Sequence, residues 1–368
     1  MVLQVGLSMI RRILSWLLRT TLVVVVVAMV GVKLSDQWLA GSVYSGPPSE
    51  HFDGQVFLNE KDDDSTFFEL GRVMWEGLRL SARWPDWVDS QPGVVPEVTE
   101  ANPAWVTFIN HATVLIQVDG VNILTDPVYS KRTSPSRLIG PKRVRDPGIH
   151  LHDLPPIDYI LISHNHYDHL DLRTLQRIQQ RQPLGRPLHV VAGLGNGPML
   201  KEAGIEHVHE LDWGDHVEHE GVRMVFTPSQ HRSGRWVSDQ MRTLWGAFVI
   251  ESSLGPIYFA GDTGYASHFK AAGDEYGPFV LSLLPIGAYE PRWFMGTFHL
   301  NPKEAVQAHL DLRSQRSIGV HYGTFQLTYE GIEQPLIDLA AAREAAGLHA
   351  RDFGTLAFGG SEGISPLE

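Results

Sequence analysis

The chain has 368 residues, of which 43% are hydrophobic, and a formal net charge of −12. This length and composition allow a substantial buried core and exclude a largely disordered protein, while the acidic balance argues against a nucleic-acid partner. The sequence contains no cysteine, which excludes disulfides, thiolate zinc sites, a cysteine nucleophile and a lipid-modified N-terminal cysteine. Imidazole and carboxylate groups remain as the strong metal ligands, and they suit zinc, manganese or iron.

An apolar segment lies close to the N-terminus. Residues 13–32 contain Arg19 as their only charged residue and are long enough to cross a membrane. Arg11, Arg12 and Arg19 outweigh Lys33, so the positive-inside rule predicts a cytoplasmic N-terminus. The bulk of the chain is then expected on the other side of the membrane, which in a bacterium is the periplasm. The sequence therefore predicts a single-pass membrane anchor.

Three other interpretations of this segment stay open. A cleaved signal peptide is the main one, although Val30-Gly31-Val32 and Trp38-Leu39-Ala40 fit the small-residue cleavage rule poorly. The pair Arg11-Arg12 would also suit a twin-arginine signal. The third interpretation is a buried core helix, which the terminal position and the charged flanks disfavour.

The pattern along the chain divides it into three parts. We expect residues 1–40 to form the anchor or signal segment, residues 41–100 a linker followed by a helical collar, and residues 101–368 a single folded domain. The middle part is marked by Pro47-Pro48, by the acidic run at residues 60–64, and by Trp75, Trp84 and Trp87.

Beyond residue 104, apolar segments bounded by turn residues predict a mixed α/β domain. Strand patterns at 105–109, 113–118 and 121–125 come first, with Asp119-Gly120 as a hairpin turn. Helical patterns alternate with the later strands, and no short-period repeat interrupts them. The later strands are predicted at 222–227, 246–251, 256–260 and 279–284, and the helices at 172–181 and 302–312.

The most informative motif is His164-Asn165-His166-Tyr167-Asp168-His169, which follows the apolar strand pattern at 159–163. Alternate residues of an extended segment share a face, so the first two histidines of the motif can bind one ion. The turn that follows can direct Asp168 and His169 towards a second ion. A run of surface histidines is the alternative, but this spacing favours a two-metal site.

Three further candidate ligands occur at the ends of later strands. Strand ends converge on one rim of a sheet, where ligands that are distant in sequence can meet. Taken singly, a histidine after a strand is more often structural, and an aspartate before Thr-Gly is commonly part of a turn. Together with the first motif, they predict a dinuclear centre. The three residues are His231, Asp262 and His321, which follow the strand patterns at 222–226, 257–259 and 317–320.

This combination resembles the metallo-β-lactamase superfamily, whose fold is an αββα sandwich with a dinuclear site at one edge. All seven ligand positions are matched in the same order along the chain. The resemblance implies that residues 101–368 form a hydrolase domain of this fold that holds two zinc ions, with manganese or iron as alternatives. It also implies that His164, His166 and His231 bind one metal, that Asp168, His169 and His321 bind the other, and that Asp262 bridges them.

Within that superfamily, segments outside the ligand set resemble the N-acylphosphatidylethanolamine-hydrolysing phospholipases D. The resemblance covers about residues 100–330. It departs at the N-terminal apolar segment and at Gly296-Thr297-Phe298, in the region expected to shape substrate access. The matching segments are 106–127, 134–143, 258–265, 291–295, 299–305 and 321–325.

Several residues outside the ligand set have more than one expected role. Asp126 either accepts a hydrogen bond from the non-coordinating nitrogen of a ligand histidine or forms an Asx turn before proline. His299 either contacts a substrate phosphate or leaving group, or belongs to a helix entry. The apolar group at 293–295 lines an acyl-chain path or packs in the core. No catalytic role is expected for His111, His207, His209, His216 and His219.

These residues predict metal-assisted hydrolysis. Two metal ions would lower the pKa of a bridging water towards neutrality and neutralise charge on phosphoryl oxygens, so no protein nucleophile is required. Asp168 and Asp262 would contribute to catalysis through the metals, because a carboxylate committed to a metal is not free to act as a simple general base.

Three hypotheses for the function follow. The first is phospholipase D-type hydrolysis of N-acylphosphatidylethanolamine or a related phospholipid. Its partners would be the membrane and the phospholipid substrate, and the sequence leaves open whether the chain forms a homodimer. The second is hydrolysis of a lactone, an amide or another phosphodiester by the same centre. The third is a membrane-tethered metal-binding scaffold without activity, which the intact ligand set disfavours.

Overall fold

The computed structural model describes residues 2–61 and 67–367, so residues 62–64 of the acidic run lie outside the described part of the chain. Within the described ranges, fourteen strands form two β-sheets. The strands are β1 (Trp105–Asn110), β2 (Thr113–Val118), β3 (Val121–Thr125), β4 (Tyr159–Ile162), β5 (His189–Gly193), β6 (His207–Leu211), β7 (His216–His219), β8 (Val222–Thr227), β9 (Ala247–Ser252), β10 (Gly255–Phe259), β11 (Leu281–Pro285), β12 (Arg316–Val320), β13 (Phe353–Gly354) and β14 (Ser361–Gly363).

Helices precede, connect and cover these strands. A short 3-10 turn at Leu151–Asp153 adds to them. The helices are α1 (Val2–Leu39), α2 (Phe67–Leu80), α3 (Leu172–Gln179), α4 (Gly197–Glu202), α5 (His268–Glu275), α6 (Arg292–Met295), α7 (Pro302–Asp311) and α8 (Gln334–Ala345).

Both sheets combine antiparallel hairpins with parallel strands. The first has the order β14-β1-β2-β3-β4-β5-β6 and the second the order β13-β12-β11-β10-β9-β8-β7. Strands β3 to β6 are parallel to one another, as are β10 to β13. Because parallel strands end at the same edge of a sheet, the loops that follow them gather at one rim.

Apolar side chains bury both faces of the central strands. In β4, Leu161 faces the layer between the two sheets, together with Phe226 and Phe248. Ile160 and Ile162 point the other way, into an outer layer that includes side chains of α3 and α4. Helices α5, α7 and α8 contribute to the core on the side of the second sheet. A strand that is covered on both faces has a continuous run of apolar residues in its sequence, as β4 does. The predicted αββα sandwich is confirmed.

The predicted elements agree with the observed ones to within a few residues. The strand predicted at 222–227 is β8, and the strand predicted at 246–251 is β9, displaced by one residue. The predicted helices at 172–181 and 302–312 end at Gln179 and Asp311. Helix α7 begins where expected because the Asn301 side chain accepts a hydrogen bond from the backbone N–H of Glu304 and completes a capping box.

The N-terminal helix α1 stands apart from the core. Its residues 11–39 are long and apolar enough to cross a membrane, and this segment is not buried against the rest of the chain, unlike a core helix. Its end touches the folded domain. The Ser238 hydroxyl donates to Asp36 at 2.7 Å, and the Gly41 N–H donates to Asp239 at 2.5 Å. The described helix therefore joins the domain at a defined point.

Residues after α1 pack along the domain. Phe52 and Phe57 are buried in the main hydrophobic core, and the Asn59 side chain donates to the backbone carbonyl of His231 at 2.6 Å. Helix α2 lies further along and is held by the Tyr329 hydroxyl, which donates to the Val73 carbonyl. The division of the chain at residues 40 and 100 stays a prediction.

The arginine asymmetry around α1 predicts that the folded domain lies outside the cytoplasm. Inverted membrane vesicles expose the cytoplasmic face, so the domain should resist added protease in them and be digested once detergent opens the vesicles. Immunoblotting for the C-terminal part of the chain measures this. Digestion in sealed vesicles would reverse the topology.

Candidate metal centre

The histidine-rich motif occupies the loop directly after β4, at the rim where the parallel strands end. His231 follows β8, Asp262 follows β10 and His321 follows β12. These strands belong to both sheets, so the rim gathers side chains from the two halves of the sandwich. The structure brings together all seven residues that the sequence predicts as ligands, and they form overlapping clusters whose donor atoms lie within 4.8 Å of one another or of Asp262.

The first cluster consists of His164, His166 and His231. The Nε2 atom of His164 lies 2.8 Å from Nδ1 of His166, and Nε2 of His231 lies 3.4 Å from the same atom. Burial lowers the pKa of His166 and His231 to about 3 and that of His164 well below its ordinary value. These rings are therefore neutral at physiological pH, which is the form that binds a metal.

The second cluster consists of Asp168, His169, His321 and His111. The Oδ2 atom of Asp168 lies 3.0 Å from Nε2 of His111 and 3.6 Å from Nε2 of both His169 and His321. Burial opposes ionisation of Asp168, but the neighbouring His169 holds the pKa of this carboxyl well below its ordinary value. Asp168 is therefore an anionic donor in this cluster.

Asp262 lies between the two clusters. Its Oδ2 atom is 3.1 Å from Nε2 of His169 and of His321. The same atom is 3.9 Å from Nε2 of His164 and 3.8 Å from Nε2 of His231. One carboxylate oxygen thus reaches rings of both clusters, which is the position that a bridging ligand requires.

Asp126 holds one of the histidines from behind. Its Oδ2 atom accepts from Nδ1 of His169 at 2.6 Å and from the Ser163 hydroxyl at 2.5 Å, and its Oδ1 atom accepts from the Ser163 N–H at 2.8 Å. This contact keeps a proton on Nδ1 of His169 and directs Nε2 into the cluster. The Phe298 carbonyl does the same for His231, because it accepts from Nδ1 at 2.9 Å.

His299 is buried beside the ligand set. Its Nδ1 atom lies 4.0 Å from Oδ2 of Asp262, and its ring centroid lies 5.1 Å from that of His231. Burial holds the pKa of His299 well below its ordinary value, so this ring is neutral. The helix-entry role belongs to Asn301, which caps α7, and His299 faces the centre.

His111 belongs to the second cluster, although the sequence predicts no catalytic role for it. It lies in the turn between β1 and β2 with a φ of +49°, it is buried, and its ring centroid is 4.0 Å from that of His321. Burial, followed by the charge of His321, lowers its pKa to about 3. It follows a strand end, as His231 and His321 do. That position was the available signal, although a histidine between two strands can also serve only to satisfy backbone groups.

The donor set fits metal ions on grounds of hydrogen bonding as well as geometry. Among the described residues, Nε2 of His169, Nε2 of His321 and Oδ1 of Asp262 are buried without a hydrogen-bond partner. Buried polar atoms without partners are costly. A cation held by imidazole and carboxylate groups would satisfy all three, and nitrogen and oxygen donors without thiolates suit zinc, manganese or iron.

Comparison with known proteins decides the family. Residues 121–322 match the family model described as the beta-lactamase superfamily domain, more than half of the chain. The chain belongs to the metallo-β-lactamase superfamily. At this level its function is that of a metal-dependent hydrolase.

Relatives of this superfamily share much of the sequence. The chain is 40% identical over 286 residues to an uncharacterised protein of Mycobacterium tuberculosis, covering 75% of this chain and 74% of that one. It is 40% identical over 254 residues to N-acyl-phosphatidylethanolamine-hydrolyzing phospholipase D 1 of Caenorhabditis elegans, covering 65% of this chain and 70% of that one.

A solved structure has the same superfamily fold. A metallo hydrolase from Ignicoccus hospitalis superposes with a TM-score of 0.52 over 70% of this chain and 97% of its own. The identity is 22%, so this likeness bears on the fold alone.

Substitution of a ligand tests the metal assignment. His166→Ala and Asp262→Asn should each abolish most hydrolytic activity and lower bound metal by about one ion per chain, because each removes a donor of the site and no part of the core. Metal analysis and circular dichroism check this. His216→Ala, on an exposed residue of β7, is the control. Near-normal turnover in both ligand variants would contradict the assignment of these residues as metal ligands.

The contact behind His169 gives an isosteric test. In Asp126→Asn, either orientation of the amide sets its NH₂ group against a hydrogen on His169 or Ser163, so one of the present hydrogen bonds is lost. Metal affinity should fall by about 10–100-fold, as is typical when such a partner of a ligand is removed. Titration calorimetry with zinc measures this. Asp274→Asn, on an exposed residue, is the control; equal affinities would contradict the role.

Proposed function

We propose that the protein is a phospholipase D-type phosphodiesterase that hydrolyses N-acylphosphatidylethanolamine or a related phospholipid at a centre of two zinc ions. The observation that carries this proposal is the 40% identity over 254 residues to a relative named for that reaction. The clustered donors support it, because they suit the hydrolysis of a phosphodiester.

The proposed chemistry divides between the metals and the chain. One ion would be held by His164, His166 and His231, and the other by Asp168, His169 and His321. Asp262 would bind both ions. When bound, the ions would supply Lewis acidity and lower the pKa of water towards neutrality. Asp168 and Asp262 are then occupied as ligands, so neither acts as a simple general base.

The remaining side chains of the centre position the substrate. His299 is neutral, and its Nδ1 atom has no hydrogen-bond partner in the described structure, so this ring can contact a phosphate oxygen or the leaving group. The Arg232 guanidinium lies 4.6 Å from the Phe298 ring centroid, and its charge contributes to the lowered pKa of His166. A cation so near the donors favours a negatively charged substrate such as a phosphodiester.

An exposed apolar stripe on α2 supports a lipid substrate. Phe68, Met74, Trp75 and Leu78 are exposed by 87%, 68%, 63% and 85%, and at helical spacing they share one face. A soluble protein seldom exposes such a stripe, whereas a helix lying in a membrane interface requires one.

The stripe belongs to a helix that also contacts α6, the short helix before His299. The Arg72 guanidinium lies 4.2 Å from the centroid of the Trp293 ring, and Trp293 is in α6. The apolar residues at 293–295 therefore link α2 to the segment that leads to His299. They are suited to form an acyl-chain path, which is how we interpret them.

Product analysis tests the proposed substrate. Full-length protein in detergent or vesicles should release phosphatidic acid from N-acylphosphatidylethanolamine, and chelation should abolish this release until metal is restored. Apolar binding is worth about 0.8 kcal/mol per buried methylene, so catalytic efficiency should rise with acyl-chain length. Mass spectrometry identifies the products.

Soluble substrates provide the control. A lactone, an amide and a cyclic nucleotide offered to the same preparation should be turned over more slowly than the lipid. Efficient turnover of one of these with the phospholipid left intact would preserve the hydrolase assignment and reject the phospholipase D proposal. Turnover of none, with metal fully bound, would favour a binding scaffold.

A further inference from the structure

A second group of histidines lies at the opposite end of the parallel strands. His189 is the first residue of β5, His207 and His209 are in the first half of β6, and His219 is the last residue of β7. The ligand-bearing loop follows the last residue of β4, whose first residue, Tyr159, pairs with His189. The group is therefore separate from the candidate metal centre.

The register places these side chains on the faces that look towards the other sheet. His189 pairs with His207, and Val191 with His209, across the parallel strands β5 and β6. Residues two apart in a strand share a face, so His207 and His209 point the same way as Leu211, which is in the layer between the sheets. From the second sheet, His219 pairs with Val222, which belongs to the same layer.

The His189 ring lies close to the rings of both His207 and His209. The centroid of the His189 ring lies 5.1 Å from that of His207 and 5.3 Å from that of His209. In the candidate metal centre, the corresponding distances among His164, His166 and His231 are 4.5, 4.5 and 5.2 Å. The two distances from His189 are thus close to the longest of the three in the candidate metal centre.

Two of the donor atoms are already close enough to share an ion, whereas those of His207 and His219 must move by a change of rotamer to join them. Nδ1 of His189 lies 3.0 Å from Nε2 of His209. A tetrahedral ion with nitrogen ligands at about 2.0–2.1 Å holds its nitrogens about 3.3 Å apart, so a small adjustment admits the ion. Burial and the neighbouring rings lower the pKa of His189 and His209 below the ordinary value. Both rings are neutral at physiological pH, as metal ligands must be.

We propose that His189, His207 and His209 form a second transition-metal site, with His219 as a fourth ligand from the facing sheet. All-imidazole ligation favours Zn²⁺, Ni²⁺ or Cu²⁺ over Mg²⁺ or Ca²⁺. His207 is exposed and the other three are half-buried, so an ion can enter from solvent. The His219 ring is 6.4 Å from that of His189, and a change of its rotamer brings it closer.

A bound ion would join the two sheets at their open side. Strands β6 and β7 are the last strands of the first and second sheets, and no hydrogen-bonded strand pairing links them among the described residues. An ion held by His189 and His209 on one sheet and by His219 on the other would cross-link these edges. Metal binding at this site should therefore raise the melting temperature of the whole domain.

Metal stoichiometry tests the proposal. Full-length protein in detergent is equilibrated with micromolar zinc, and bound zinc per chain is measured after gel filtration. The wild type should retain one more ion than His189→Gln or His209→Gln, while turnover at the candidate metal centre is unchanged. In calorimetric titration with zinc, His207→Gln should weaken the additional site at least tenfold. Because His207 is exposed, this variant decides the question even if a substitution at His189 impairs folding.

His216→Gln is the matched control. His216 is on the same strand as His219, but three residues away and therefore on the opposite face; it should bind as much zinc as the wild type. Equal zinc content and affinity in the wild type and in the three variants would overturn the proposal and leave a hydrogen-bonded histidine pair. An equal loss in His216→Gln, or retention of the additional ion only at millimolar zinc, would also overturn it.

Discussion

The carboxylate of Asp262 is the group on which the arrangement of the rim depends. It is 3% exposed, and its Oδ2 atom lies within 4.0 Å of five different imidazoles. A carboxylate taken so far out of water is tolerated only where cations or hydrogen-bond donors surround it. Burial would raise its pKa, yet His169 and His321 hold the pKa well below its ordinary value. The two sheets supply these rings from opposite sides, so the site and the sandwich stabilise each other.

The backbone adopts unfavourable conformations to bring the rings close. His111, Asp126 and His321 have φ values of +49°, +33° and +61°, in or near the left-handed region that costs residues other than glycine about 1–2 kcal/mol each. Gly261 has a φ of +59°, and a Cβ atom there would lie 2.4 Å from that of Ser163.

Much of the fold and most of the site could be predicted from the sequence, for identifiable physical reasons. Strands such as β4 and β8 are apolar runs bounded by turns, because both of their faces are covered. The candidate ligands follow strand ends, where side chains from distant parts of the chain meet. His111 was missed because its role depends on a turn that directs its ring towards Asp168, and local sequence does not encode that direction. The burial of Phe52 and Phe57 could not be foreseen either, since it depends on contacts with residues far along the chain, such as Trp245. The cluster around His189 was equally hidden, because it arises from the register between β5 and β6 and from the approach of β7.

Helices α1 and α2 both expose apolar residues, and their positions bear on how a lipid would reach the centre. The end of α1 lies against the histidine-rich loop, where the Tyr167 hydroxyl donates to the Leu39 carbonyl at 3.4 Å and the Arg235 guanidinium lies 3.8 Å from the centroid of the Tyr167 ring. Helix α2 contacts Trp293, a few residues before Phe298, whose carbonyl accepts from His231. Both helices thus contact segments that carry residues of the centre. If both elements meet one bilayer, as the proposed function requires, the rim faces the level of the lipid head groups. A phosphodiester in the membrane surface would then reach the donor atoms while most of each acyl chain stays in hydrocarbon. Withdrawing a whole chain into water would cost about 0.8 kcal/mol for every methylene, a cost that a centre held at the bilayer surface would avoid.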